Sequence, residues 1–345
     1  MTKQDALRIH GESLIIDGSF CRIHSPVPPT AETPDMLFEH IANSGVTAFN
    51  HTVIGDEFPT SFEGALMHVY EDSVMFDAFP ERVMLVRGVA DLEEAKRTGK
   101  VGVIFGTQGL EAVGKDMRRL WVLYSLGVRV MQLTYNEQNA LGSGCRQPRD
   151  GGLTRSGQQA IEWMNRLGVV LDLSHVGRLT SVEAMMHTEQ PPIVSHAGVQ
   201  KLCDHPRNLT DEQITLLAKK DGVLGLCPHS VFVETSRRTR PTLSTFIDQI
   251  DYVASLVGVR HIGIGTDNFT YDTYFGRLGN YKFERTYPGF FGGYGIDEKH
   301  VRGFSRWSDW INLTEALLER GYSEEDARGI LGGNFLRVFT KVWKG

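Results

Sequence analysis

Short apolar runs alternate along the chain with longer stretches in which apolar residues return every three to four positions. The runs are Leu14–Asp17, Val46–Asn50, Val83–Val86, Val101–Phe105, Val128–Thr134, Val169–Leu173, Pro192–Ser195, Val223–Leu226 and His261–Gly265. Between them, Gly157–Leu167, Asp211–Lys220 (opened by Asp211 as its cap) and Leu243–Val257 carry helical periodicity. Strand-like runs separated by amphipathic helices predict repeated βα units around a parallel sheet, and their number predicts an α/β fold of the closed (β/α)8 TIM-barrel type. Nine runs compete for eight barrel positions, so one is expected to be accessory. Two closing helices are expected at the C-terminus, over Trp310–Arg320 and Ser323–Phe339, the second opened by Ser323 with Asp326 three residues on.

A long aromatic and glycine-rich stretch, 268–306, follows the last strand, a length usual for functional loops. Its aromatic residues and those just beyond it, among them Tyr271, Tyr274, Tyr287, Tyr294, Trp307 and Trp310, suggest a packed lid and a contact between two copies in a homodimer.

Composition adds limits. At 345 residues the chain suits one barrel domain spanning 1–345, because no composition break or linker divides it. A formal charge of −6 gives no reason to expect a nucleic-acid or anionic-membrane partner. The polar N-terminus lacks an apolar signal core, and no window reaches the ~18 apolar residues of a membrane span. Cys21, Cys145, Cys203 and Cys227 are scattered without CxxC spacing, which argues against a disulfide framework and for a reduced, cytoplasmic protein. The run from Gly109 to Asp116 nearly matches a phosphate loop but ends on Asp116 and contains Glu111, so it suggests a plain loop into a helix.

In a barrel of this kind chemistry sits where strands end and the following loops begin. Those positions hold Asp17, Ser19 and Cys21; Gln108; Tyr135 and Asn136; His175; His196; and Asp267. Each polar group alone is most simply a hydrogen-bonded core residue. Two histidines and an aspartate at equivalent strand ends suit a borderline ion such as zinc instead.

Three blocks resemble the membrane (renal) dipeptidases of the amidohydrolase superfamily. Gly152-Leu-Thr with Asn165-Arg-Leu-Gly-Val-Val-Leu-Asp-Leu-Ser-His175 is similar to the block carrying one metal histidine. Ile193-Val-Ser-His196 with His205-Pro-Arg207-Asn208 resembles the block of the second metal histidine and the arginine that grips the substrate carboxylate. His261-Ile-Gly-Ile-Gly-Thr-Asp267 resembles the block whose aspartate lies on the metal and handles the catalytic proton. Gly332-Gly-Asn-Phe-Leu-Arg-Val338 is similar to the family's C-terminal helix.

The departures change the chemistry that the resemblance implies. The family's Asp-Gly-His-x-Asp at strand one is Asp17-Gly-Ser19-Phe-Cys21 here. Its bridging glutamate is Gln108, and its His-Asn at strand four is Tyr135-Asn136, as in a divergent bacterial branch. Two divalent cations a few ångströms apart repel strongly, and a neutral glutamine cannot offset that as a bridging carboxylate does. The resemblance therefore implies at most one ion, zinc, on His175, His196 and Gln108. A metal-free site and a Cys21 thiolate ligand stay open. Asp267 would take the proton, Tyr135 would donate to the oxyanion, and Arg207 would hold the free carboxylate of a small substrate. The expected function is a dipeptidase-like amidohydrolase acting on a dipeptide or small carboxylated amide. A lyase or decarboxylase on a small carboxylated amine, and an inactive ligand-binding homologue, stay open as alternatives.

Overall fold

Each of the nine apolar runs forms a strand in the computed structural model, which describes residues 2–20, 32–55, 61–236, 239–267 and 292–344. The strands are β1 (Ile15–Phe20), β2 (Val46–Gly55), β3 (Val83–Leu85), β4 (Val101–Gln108), β5 (Val128–Gln132), β6 (Val170–Asp172), β7 (Ile193–Ala197), β8 (Val223–Leu226) and β9 (Ile262–Ile264). All pairings between them are parallel, and β2–β4 pairing closes the order β2-β1-β9-β8-β7-β6-β5-β4 into an eight-stranded barrel.

β3 is the accessory strand. Met84 pairs with Gly102, the residue that Ala48 of β2 pairs from the other side. Higher up, Phe105 and Gly106 of β4 pair with β5 on the side opposite β2. Thus β3 occupies only the lower part of an edge that β5 takes over, and the barrel closes without it.

Two apolar layers hold the barrel. The larger packs the outward strand faces against the surrounding helices, including Arg155–Leu167 and Leu243–Val257. The smaller fills the floor, where Ile16, Ala48, Ile104, Val130, Val170, Ile193 and Val223 from seven strand starts meet Phe335, Val338 and Phe339 of the helix Asn334–Val342. Phe335 approaches β9 so closely that a Cβ on Gly263 would lie 2.5 Å from its ring, so glycine is required there.

Three sequence expectations need correction. The helix Asp211–Lys219 is capped by Thr210, whose side chain accepts from the Gln213 N–H, and Asp211 lies in the first turn. Ser323 does open a helix with a capping box, but the helix does not run to Phe339. It breaks into Glu324–Arg328, a π-turn over Gly329–Gly333 and Asn334–Val342, because Gly332 packs directly onto the backbone of Leu14 at the start of β1. Finally, Trp310 is fully buried against Phe304, and Trp307 packs on Phe20, so these two aromatics belong to the chain's own interior.

Tyr271, Tyr274 and Tyr287, with the rest of 268–291, and Cys21 lie outside the described residues. No helix among the described residues is long and apolar enough to cross a membrane.

Candidate active site

At the upper ends of β6 and β7 the sequence Leu173-Ser174-His175 meets Ser195-His196. Among the described residues only three non-glycines have positive φ, and two are His175 (62°) and Asp267 (49°), both expected in the site. Such backbone is costly and persists where the surroundings impose it, commonly at functional sites. The His175 carbonyl accepts from the Cys145 N–H at 2.7 Å, which helps hold that turn.

Polar groups beneath the two imidazoles decide their protonation. Asn136 Oδ1 lies 2.9 Å from His175 Nδ1, so that nitrogen carries the proton. Buried Asp172 accepts from the Ser174 N–H (3.0 Å), the Ser195 N–H (2.9 Å) and Ser195 Oγ (2.6 Å). Burial pushes this carboxyl up, and its Ser195 and Ser174 donors favour the charged form. As a carboxylate it can only accept, so the Ser195 hydroxyl proton points to it. Ser195 Oγ then accepts from His196 Nδ1 at 2.8 Å.

Both Nε2 atoms are therefore left with lone pairs, and they lie 2.9 Å apart. Two lone pairs facing at that distance repel unless a cation lies between them. A proton is disfavoured there, because burial pushes His196 down to about 3 and His175 well below its ordinary value. Two nitrogens ~2.0–2.1 Å from one zinc-like ion at a near-tetrahedral angle would stand roughly 3.3 Å apart. The pair thus fits such an ion after a shift of a few tenths of an ångström.

The other expected residues take distinct places. Tyr135 stacks on His175 with ring centroids 4.1 Å apart. Gln108 Nε2 donates to Ser19 Oγ at 3.3 Å, joining β4 to β1. Asp17 is turned into the barrel wall, where it accepts from Thr266 Oγ1 (2.5 Å) and the Thr266 N–H (2.8 Å). Burial raises it to about 7, and its place is a clamp between β1 and β9. Arg207 is buried over Phe232 and donates through Nη2 to the His196 carbonyl at 3.0 Å, while its Nε has no hydrogen-bond partner among the described residues. Asp267 is anchored by its N–H on the Ser19 carbonyl (3.0 Å), and its charge favours protonated His196, against the effect of burial.

Four further residues of the mouth escaped sequence reasoning. Cys227 and His229 follow β8 directly, and reading that strand end like the others would have found them. His229 Nε2 is 3.5 Å from Asp267 Oδ2. Lys299 donates to the Asp267 carbonyl (2.9 Å) and His300 to the Thr266 carbonyl (2.8 Å). These two come from beyond residue 291, and no local pattern places them at β9.

The sequence profile of the membrane dipeptidases (peptidase family M19) matches residues 31–280 and 287–344. Dipeptidase aclJ of Aspergillus oryzae is 29% identical over 272 residues, 78% of this chain. The chain spans only 58% of that relative's length. An amidohydrolase from Pseudomonas aeruginosa superposes with a TM-score of 0.85 at 31% identity, covering 98% of this chain and 99% of that one. A Rhodobacter sphaeroides metallopeptidase, solved with a phosphinate mimic of the dipeptide L-Ala-D-Ala, shares the fold with a TM-score of 0.76 at 18% identity, covering 96% of this chain and all (100%) of that one.

Proposed function

Since this chain belongs to the membrane dipeptidase family, we propose that it is a dipeptidase-like amidohydrolase cleaving a dipeptide or other small carboxylated amide, with zinc on His175, His196 and Gln108. The observation that carries the proposal is the pair of buried Nε2 atoms 2.9 Å apart, with the Nδ1 atom of each ring held from behind by a hydrogen-bond partner. Gln108 can add one neutral oxygen but no bridging charge, so it supports a single ion at this seat. Free thiols at Cys145, Cys203 and Cys227 fit the reducing cytoplasm.

When bound, zinc polarises the scissile carbonyl and makes water more acidic. The residues of the chain do the rest. Asp267 takes a proton from the attacking water as the oxygen–carbon bond forms, and returns it to the amine nitrogen as the carbon–nitrogen bond breaks. Tyr135, stacked on His175, donates a hydrogen bond from its hydroxyl to the developing oxyanion. Arg207 holds the free carboxylate of the substrate through its guanidinium fork.

The test is a panel of dipeptides assayed with zinc-loaded protein, then with chelator, then with zinc restored. Hydrolysis that chelation abolishes and zinc recovers is expected. A panel left untouched by the zinc-loaded protein would overturn the proposal.

Arg207 gives a separate test. Arg207→Ala should raise KM about 10–100-fold, matching the ~1.5–3 kcal/mol of a charged hydrogen-bond pair, with kcat little changed. Arg207→Lys should remain impaired, because an ammonium lacks the fork. An unchanged KM on carboxylated substrates would remove Arg207 from the site.

A further inference from the structure

A second group of ligand-type side chains stands at the same mouth, on the ends of β8 and β9. One donor atom from each of Cys227, His229 and Asp267 lies within 4.8 Å of the others; Cys227 and His229 are buried and Asp267 is partly buried. His229 Nε2 lies 3.3 Å from the Asp267 carbonyl, a hydrogen bond that an entering ion would replace, and 3.5 Å from Asp267 Oδ2. The latter distance is close to the roughly 3.3 Å expected between two donors on one tetrahedral ion.

The backbone fixes all three residues before any ligand arrives. The Cys227 N–H donates to the Ala197 carbonyl of β7 at 2.8 Å. His229 is bridged to His300, and its ring stacks on Phe232 at 5.2 Å. Asp267 is held on Ser19 in its left-handed conformation. A buried cysteine is ordinarily a small apolar filler. This one instead lies beside an imidazole and a carboxylate.

We propose that Cys227, His229 and Asp267 form a second metal seat, for one thiophilic divalent ion of the zinc class, with these three side chains as its protein ligands. The charges favour a soft ion over magnesium or calcium. A thiolate and the Asp267 carboxylate together balance a divalent ion, whereas Lys299, bonded to the Asp267 carbonyl, opposes any cation held by charge alone. Burial and the neighbouring Asp267 carboxylate push the Cys227 thiol well up, so an entering ion would displace its proton as it binds. This ion would carry its own negative ligands and share nothing with Gln108. The charge objection to a Gln108-bridged pair therefore does not reach it, and the chain would hold two separate ions.

Cobalt(II) is the probe, loaded into the metal-free full-length protein and followed by absorption and elemental analysis. Wild type should show a near-ultraviolet thiolate-to-cobalt charge-transfer band. Cys227→Ser should lose the band and one ion per chain, and Cys145→Ser should keep both. The double variant His175→Ala/His196→Ala should keep the band while losing the other ion. Where Cys227→Ser fails to fold, His229→Ala is read in the same way, by loss of the band. Wild type that binds cobalt without the band overturns this seat and leaves the histidine-pair site standing. A band that survives Cys227→Ser, or disappears with Cys145→Ser, also overturns it.

Discussion

Replacing His196 with alanine is expected to lower dipeptide hydrolysis about 10³-fold or more and to strip zinc from the histidine pair. The expectation rests on how the two imidazoles are held. Their Nδ1 protons go to Asn136 and Ser195, so His175 Nε2 and His196 Nε2 act together as one two-nitrogen donor. With one imidazole gone, only His175 and the neutral Gln108 remain of the proposed ligands, and Lewis-acid stabilisation worth several kcal/mol is lost. Ser195→Ala should act more mildly. It leaves the ligand in place but removes its orienting partner, so zinc affinity should fall about 10–100-fold. Zinc content and kcat/KM, measured on the same preparations, test both variants. A His196→Ala protein with wild-type zinc and activity would show that the ion sits elsewhere.

The second large effect is on stability. Phe335→Ala should destabilise the protein by about 3–5 kcal/mol, the usual cost of emptying a buried phenylalanine site. The ring is fully buried in the barrel floor, beside Gly263 of β9 and with Phe339 stacked at 6.0 Å. It meets several rigid strand starts at once, so neighbours have little freedom to collapse into the space. The midpoint of urea unfolding, followed by circular dichroism, measures the loss. A loss below about 1 kcal/mol would mean that the closing helix is not what seals the barrel floor.

The elements themselves were legible because their signals are local. A run such as Val101–Phe105 or Val223–Leu226, apolar on both faces and bounded by polar segments, is stable mainly as a strand buried between layers. Ser323 with Asp326 announces a helix start for an equally local reason, since both bonds of the capping box close within four residues. The helix break at Gly332 was not legible, because its cause is β1, more than three hundred residues earlier in the chain. Nor was the accessory role of β3, which depends on which edge of β4 is already taken by β2.

The site divides along the same line. That His175, His196 and Asp267 sit at strand ends follows from sequence, because each directly follows an apolar run and side chains there must face one mouth of the barrel. Only the folded chain shows that Asp17, an equally good candidate by position, turns into the wall to clamp Thr266. Only folding brings Lys299 and His300 against Asp267 and Thr266, across more than thirty residues. The proton positions that leave two lone pairs face to face depend on contacts from other strands, through Asn136 and Asp172. The sequence by itself determined the barrel and the residue types at its mouth, since burial patterns and short-range hydrogen bonds are written in neighbouring positions. Tertiary structure alone decided which of those groups meet and in what protonation state, since both depend on distances of a few ångströms between residues far apart in the chain.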